Sequence, residues 1–268
     1  MAYQFALSMC VGVRKASMKI KFCGLFRECD IEFANVLMPD FIGFVFARQS
    51  KRFVDFTLAR ELKARLDSRI KAVGVFVDSP VERVCEAVGE GIIDIIQLHG
   101  DENNAYISAL RESLQRDCGK SAPIIKALKM RDSRSLSEAL KSSADFILLD
   151  SANAGSGVAF EWEILTQKLH DSRDLQSAKS NNADSQHLDS QNLRGLDLQD
   201  SRISQDFAHD FASRFFLAGG INADNLPRAM SLNPYAIDIS SGIESNGKKD
   251  FAKMQQIIES LRTSGKSK

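Results

Sequence analysis

Eight short apolar runs, each set apart from the next by a stretch long enough for a helix, constrain this chain most. The runs are Lys19–Phe22, Phe41–Phe46, Ala72–Val77, Ile93–Leu98, Ile124–Leu128, Phe146–Leu149, Phe215–Ala218 and Ala236–Ile239. They are nearly continuous in apolar residues, as parallel strands covered on both faces require, rather than strictly alternating. Thr57 is predicted to cap a helix over Leu58–Leu66, and Pro80 to sit in the first turn of the helix carrying Val81, Val84 and Val88. Asp250 is predicted to cap the last helix, where Phe251, Met254, Ile257, Ile258 and Leu261 form one apolar stripe. Eight strand–helix units predict an α/β fold, a single-domain (β/α)8 TIM barrel. An open doubly wound sheet has the same rhythm, because periodicity alone does not say whether a sheet closes. No Gly-x-Gly-x-x-Gly follows the first strand, which weakens a dinucleotide reading.

One segment breaks the rhythm. Residues 168–213 are dominated by Ser, Asp, Gln and Asn, with Asp-Ser-Arg at 171–173 and again at 200–202. Lacking an apolar period, this stretch reads as a flexible low-complexity insertion after strand six, with a binding arm as the alternative. Residues 1–17 read as a disordered extension before Met18, without the basic lead-in and cleavage site of a signal peptide. The expected domain is thus 18–265, interrupted by 168–213. At 268 residues, the length suits one such barrel.

Lys+Arg and Asp+Glu both total 35, so no net field attracts nucleic acid or an anionic membrane. No apolar run approaches the roughly 20 residues that span a bilayer. The five cysteines form no Cys-x-x-Cys and are odd in number, so reduced thiols in the cytoplasm are the expectation. Three of the four histidines fall in 168–213, leaving only His99 for an ordered region and making a histidine-based metal site improbable.

In a barrel, chemistry gathers where strands stop. Those positions are Cys23-Gly24, the loop after Phe46, Asp78, His99-Gly100, Lys129, Asp150, Gly219-Gly220 and Ser240-Ser241-Gly242. Two consecutive final strands end in small residues and glycine, which lets backbone approach an anion; barrels often bind phosphate there. Ordinary turns are the alternative. Asp150 ends the apolar run Phe146–Leu149, where desolvation would keep a carboxyl protonated and fit to act as a general acid. Taken alone, it reads first as a turn or capping aspartate. Cys23 ends the first strand, facing a pocket as a base or nucleophile, or simply packing in the core. Cys29 is read as packing.

Several motifs together resemble the phosphoribosylanthranilate isomerase family. They are Lys21-Phe22-Cys23-Gly24-Leu25, Ile42–Phe46 followed by Ser50-Lys51-Arg52-Phe53-Val54, and Val73–Val77. Further along come Ile96-Gln97-Leu98-His99-Gly100-Asp101-Glu102, Ile147–Asp150, Ala218–Asn222 and Asp238-Ile239-Ser240-Ser241-Gly242-Ile243-Glu244. The resemblance runs from Met18 to about Leu261, excluding the insertion.

The resemblance implies an isomerase of tryptophan biosynthesis, an aromatic amino-acid pathway. Its reaction is the Amadori rearrangement of N-(5-phosphoribosyl)anthranilate to 1-(2-carboxyphenylamino)-1-deoxyribulose 5-phosphate, with no metal and no organic cofactor. It implies Cys23 as general base, Asp150 as general acid and Arg52 as the group holding the anthranilate carboxylate. Gly219, Gly220, Ser240, Ser241 and Gly242 would bind the phosphate. The partner is the phosphorylated sugar-anthranilate substrate, with other tryptophan-pathway enzymes as a further association; nucleic acid and membrane are not expected. His99 is expected to pack beneath the site.

Two departures from the family pattern stand together, the insertion 168–213 and the loop before it. The family's Gly-Gly-Ser/Thr-Gly-Lys-x-Phe-Asp-Trp loop reads here Ala154-Gly155-Ser156-Gly157-Val158-Ala159-Phe160-Glu161-Trp162, with valine in place of lysine. The rival enzyme readings are indole-glycerol-phosphate synthase, for which Lys126 would be the strand lysine, and ribulose-phosphate epimerase, whose metal ligands cannot be assembled here. A non-catalytic binding protein on a barrel is the rival from another class.

Overall fold

The computed structural model describes residues 18–130, 139, 141–151 and 214–264. Eight parallel strands close into a barrel in chain order: β1 Lys19–Cys23, β2 Phe41–Val45, β3 Lys71–Phe76, β4 Ile95–Leu98, β5 Ile124–Met130, β6 Phe146–Ser151, β7 Phe215–Ala218 and β8 Ala236–Ile239. Closure, which the sequence left open, is set by β1 pairing with β8, Lys21 opposite Asp238 and Phe22 opposite Ile239. The described helices are α1 Glu28–Leu37, α2 Phe56–Arg65, α3 Val81–Gly89, α4 Asn104–Ser113, α5 Leu226–Ser231 and α6 Phe251–Ser264. The insertion 168–213, the loop Ala154–Trp162 with Val158, and residues 1–17 lie outside the described residues.

The strands separate two apolar cores by their period of two. Ile20, Phe22, Ile42, Phe44, Ile96, Leu98, Ile147, Leu149, Ile237 and Ile239 point outward and pack with the helices. Phe41, Val73, Ile95, Ile125, Ala127, Leu148, Phe216, Ala218 and Ala236 fill the lumen. Alternation then dictates that Lys21, Cys23, Gln97, Asp150 and Asp238 face inward. A run that looks continuously apolar therefore carries a polar inner layer toward one end of the barrel. Lys21, Gln97 and Asp238 are all buried, Lys21 completely.

Local capping corrects one expectation. Helix α2 is capped by Asp55, whose side chain accepts from the Leu58 N–H at 2.8 Å, and Thr57 lies within the helix. Both residue types cap well; the bend after the Val45–Phe53 bridge puts Asp55 at the non-helical position. Asp250 does accept from the Lys253 N–H, at 3.2 Å, at the start of α6. Pro80 occupies the N-cap position, with the helix beginning at Val81.

Candidate active site

At the C-terminal rim, Cys23 ends β1 and Asp150 is the last inward-facing residue of β6. Cys23 is buried, and its thiol sits against the backbone of β2 because Gly43 leaves room for it. A Cβ at Gly43 would stand 2.8 Å from Cys23 Sγ and 3.2 Å from its Cα. Burial, first, and the Asp238 carboxylate push the thiol above its ordinary value, while the Lys21 and Lys249 ammonium groups pull it down without cancelling the rise. The two cations thus temper the rise that burial imposes. Gly43→Ala should displace the thiol, so we expect kcat to fall at least about tenfold, since misplacing a reacting group by about 1 Å is costly. Overpacking should cost about 1–3 kcal/mol of stability. Steady-state kinetics beside a thermal melt check both; unchanged kcat would show that the methyl is absorbed elsewhere.

Asp150 is partly open, its side chain 28% exposed, so the rim is wet at this point. The desolvated carboxyl expected from the apolar run is not what the fold builds. The group facing it is His99, whose Nε2 lies 3.2 Å from Asp150 Oδ2 and whose Nδ1 lies 2.9 Å from Gln97 Nε2. His99 is thus no residue packing beneath the site; it touches the candidate acid. It does so because β4 continues its inward alternation, Ile95, Gln97, His99, past the strand end.

Arg52 reaches the rim from the loop after β2, which folds back so that Phe53 bridges Val45. Its Nε and Nη2 donate to the two oxygens of Glu244, both at 2.7 Å. This fork-to-carboxylate pairing raises the guanidinium above its ordinary value, burial opposing it, and the remaining face of the fork is still partly exposed. Gly24, at φ +78°, lies under the Arg52 stem, where any Cβ would overlap Cδ.

Glu244 and Lys249 are register partners in a small hairpin, β9 Glu244–Ser245 and β10 Lys248–Lys249. Lys249 donates to Glu244 Oε1 at 2.6 Å and to the Ser240 carbonyl at 3.0 Å. Burial lowers its pKa, with Glu244 opposing.

The two glycine-bearing turns come together. A Cβ on Gly242 would overlap the Ile221 carbonyl, so the loops after β7 and β8 are packed backbone to backbone. Gly219 and Gly220 both adopt positive φ, 95° and 61°, which suits glycine. Ser241 is exposed at the start of a single helical turn, Ser241–Ile243. Ser240 differs: its hydroxyl donates to the Cys23 carbonyl at 3.0 Å, tying β8 to β1.

The strand-end Asp78, and Lys126 within β5, serve structure. Asp78 Oδ1 accepts from the Asp101 N–H at 2.7 Å, fastening the β3 and β4 loops together. Lys126, between inward-facing Ile125 and Ala127, points out of the lumen and donates to the Gly100 carbonyl and to Glu102. It is not placed to act as a lumen lysine. Sequence reasoning gave no role to Lys21, Gln97, Glu244, Lys249 or Asp238. The available signal was polar residues two positions before Cys23, His99 and Ser240, within otherwise apolar strands.

Comparisons with known proteins point to one family. The family model for N-(5'-phosphoribosyl)anthranilate (PRA) isomerase matches residues 20–178 and 167–260. A curated relative from Endomicrobium trichonymphae, named N-(5'-phosphoribosyl)anthranilate isomerase, is 35% identical over 250 residues, covering 91% of this chain and 98% of that protein. Phosphoribosyl anthranilate isomerase from Thermus thermophilus superposes with a TM-score of 0.63 at 27% identity, over 92% of this chain and 100% of the other. A further phosphoribosyl anthranilate isomerase, solved with reduced 1-(o-carboxyphenylamino)-1-deoxyribulose 5-phosphate, shares the fold with a TM-score of 0.65 at 24% identity, over 92% and 99%.

Proposed function

This chain belongs to the N-(5'-phosphoribosyl)anthranilate isomerase family and isomerises phosphoribosylanthranilate in tryptophan biosynthesis, and we propose that Cys23 and Asp150 carry the proton transfers. The observation behind this reading is that both groups face the lumen at one rim of a closed barrel, joined by an unbroken line of inward side chains.

Asp150 as acid protonates the furanose ring oxygen, so the C1–O bond opens to a Schiff-base cation. Cys23 as base takes the proton from C2, and the resulting enolamine tautomerises to the ketone. One group gives a proton and the other takes one, on a sugar lying between them. Arg52, already oriented by Glu244, offers its free face to the anthranilate carboxylate. Gly219, Gly220, Ser241 and Gly242 supply the phosphate cradle, where glycine admits close backbone approach. The Ser240 hydroxyl is committed to the Cys23 carbonyl, so its share in that cradle falls to its backbone.

The reading extends to domain and location. Residues 18–265 form one barrel domain interrupted by 168–213, in a cytoplasmic enzyme that associates with others of its pathway. Among the described residues no helix is long and apolar enough to cross a membrane.

The direct test is a fluorescence assay following consumption of freshly made phosphoribosylanthranilate by the purified chain; absence of turnover above buffer would overturn the assignment. A second expectation concerns pH. A thiol held above its ordinary value is mostly protonated near neutrality, so only a minor fraction of free enzyme carries the base. The ultraviolet thiolate absorbance that is lost in Cys23→Ala, which reports the thiol alone, should therefore be small at pH 7 and climb about tenfold per pH unit through the neutral range. A thiolate signal that is already full and flat between about pH 6 and 8 would show a thiol not held above its ordinary value.

A further inference from the structure

Beneath the rim, one line of side chains spans four strands. Lys21 Nζ donates to Asp238 Oδ2 and to Gln97 Oε1, both at 2.8 Å. Gln97 Nε2 faces His99 Nδ1 at 2.9 Å, and His99 Nε2 faces Asp150 Oδ2 at 3.2 Å. The Lys21 ammonium also lies beside the Cys23 thiol.

Elementary donor and acceptor counting assigns direction to this line. An ammonium has three donors and no acceptor, so the Gln97 atom facing it must be the carbonyl oxygen. A glutamine has only one such oxygen, so the atom facing His99 is the NH2 group. That group can only donate, so His99 Nδ1 must present a bare lone pair. A neutral imidazole with Nδ1 bare carries its proton on Nε2, the nitrogen that faces Asp150.

We infer that Lys21 and Gln97 are positioning residues that hold His99 as its neutral Nε2–H tautomer, donating to Asp150 Oδ2 and leaving Oδ1 to face the substrate. The inference rests on the reading of Asp150 as the acid. A donor on Oδ2 favours the carboxylate left behind once the proton has gone to the sugar. It also fixes the plane of the carboxyl, so the transferable proton sits on the oxygen that reaches the ring. His99 in this tautomer has no acceptor toward Asp150 and is not itself a base. One buried ammonium thereby orients the acid at β6 while standing next to the base at β1.

The test is a two-bond proton–nitrogen correlation spectrum of the full chain with ¹⁵N-labelled histidine, without substrate, with His99 identified by its loss in His99→Gln. The Nε2–H pattern is expected for the unmodified protein. Gln97→Glu keeps an oxygen for Lys21 but presents a second acceptor to Nδ1, so the proton should move to Nδ1. Its kcat should fall at least about tenfold while KM changes little, since the loss is in acid–base work.

Two further variants separate orientation from bulk. Glutamine at position 99 places an amide nitrogen near the place of Nε2, whereas asparagine reaches only that of Nδ1. His99→Gln should therefore retain more turnover than His99→Asn. An Nδ1–H or doubly protonated His99 in the unmodified protein, or an unchanged tautomer in Gln97→Glu, would overturn the inference. Equal turnover in the two position-99 variants would also count against it. Failure of the parent reading looks different: Asp150→Asn would keep its turnover while the tautomer stayed as inferred.

Discussion

Replacing Cys23 by alanine or Asp150 by asparagine is expected to lower kcat/KM by about 10²–10⁴ each, with the fold intact. Neither change threatens the barrel. Alanine keeps the backbone bonds of Cys23, including the carbonyl that Ser240 holds, and asparagine is nearly isosteric with the partly exposed Asp150. The losses have different origins. Alanine removes the only group on β1 that can take the C2 proton. Asparagine keeps a carbonyl oxygen for His99 to donate to but has no acidic proton to give. Because both groups act on one substrate in one sequence of steps, the double variant should be only slightly slower than the worse single one. The fluorescence assay with matched circular dichroism measures all three. Near-full activity in either single variant would remove that residue from the mechanism.

Lys21→Met is expected to be the most destabilising single change in the described barrel, costing about 3–5 kcal/mol. Lys21 is wholly buried and pairs with Asp238, which is itself buried with Oδ1 unpartnered among the described residues. Removing the ammonium leaves a carboxylate in the lumen with no countercharge, and Gln97 without its anchor. Burial works against the Lys21 charge, but Asp238, with Cys23, more than offsets it, and the ammonium is held above its ordinary 10.5. With the folded value raised, the contribution is fully present below the unfolded pKa and fades only as pH climbs past it. Measurement at neutral pH therefore sees all of it. A Tm drop on the order of 10 °C should accompany the loss. Adding Asp238→Asn to Lys21→Met should recover part of the stability, since an amide costs less to bury than an unpaired carboxylate. If the double variant were no more stable than Lys21→Met, the lost packing of the lysine stem would be the cause.

The sequence alone was enough to reach the fold class and the family. Strand positions follow from runs of apolar and β-branched residues, a local signal, and no observed strand end departs from those runs by more than about two residues. The family motifs are likewise local strings. The rim positions of Cys23 and Asp150 were legible because a residue at the end of a barrel strand lies near the rim, whatever the barrel's closure. What local signals could not contain was which side chains meet across strands. His99 could not be distinguished from a packing residue until β4 and β6 were set around one lumen. Glu244, a mere motif letter in the sequence, became the partner that orients Arg52 across 192 residues of chain. Lys21, Gln97 and Asp238 looked like interruptions in apolar strands. Only closure between β1 and β8 turned them into a charged layer under the site, because a buried charge finds its partner through space and not along the chain.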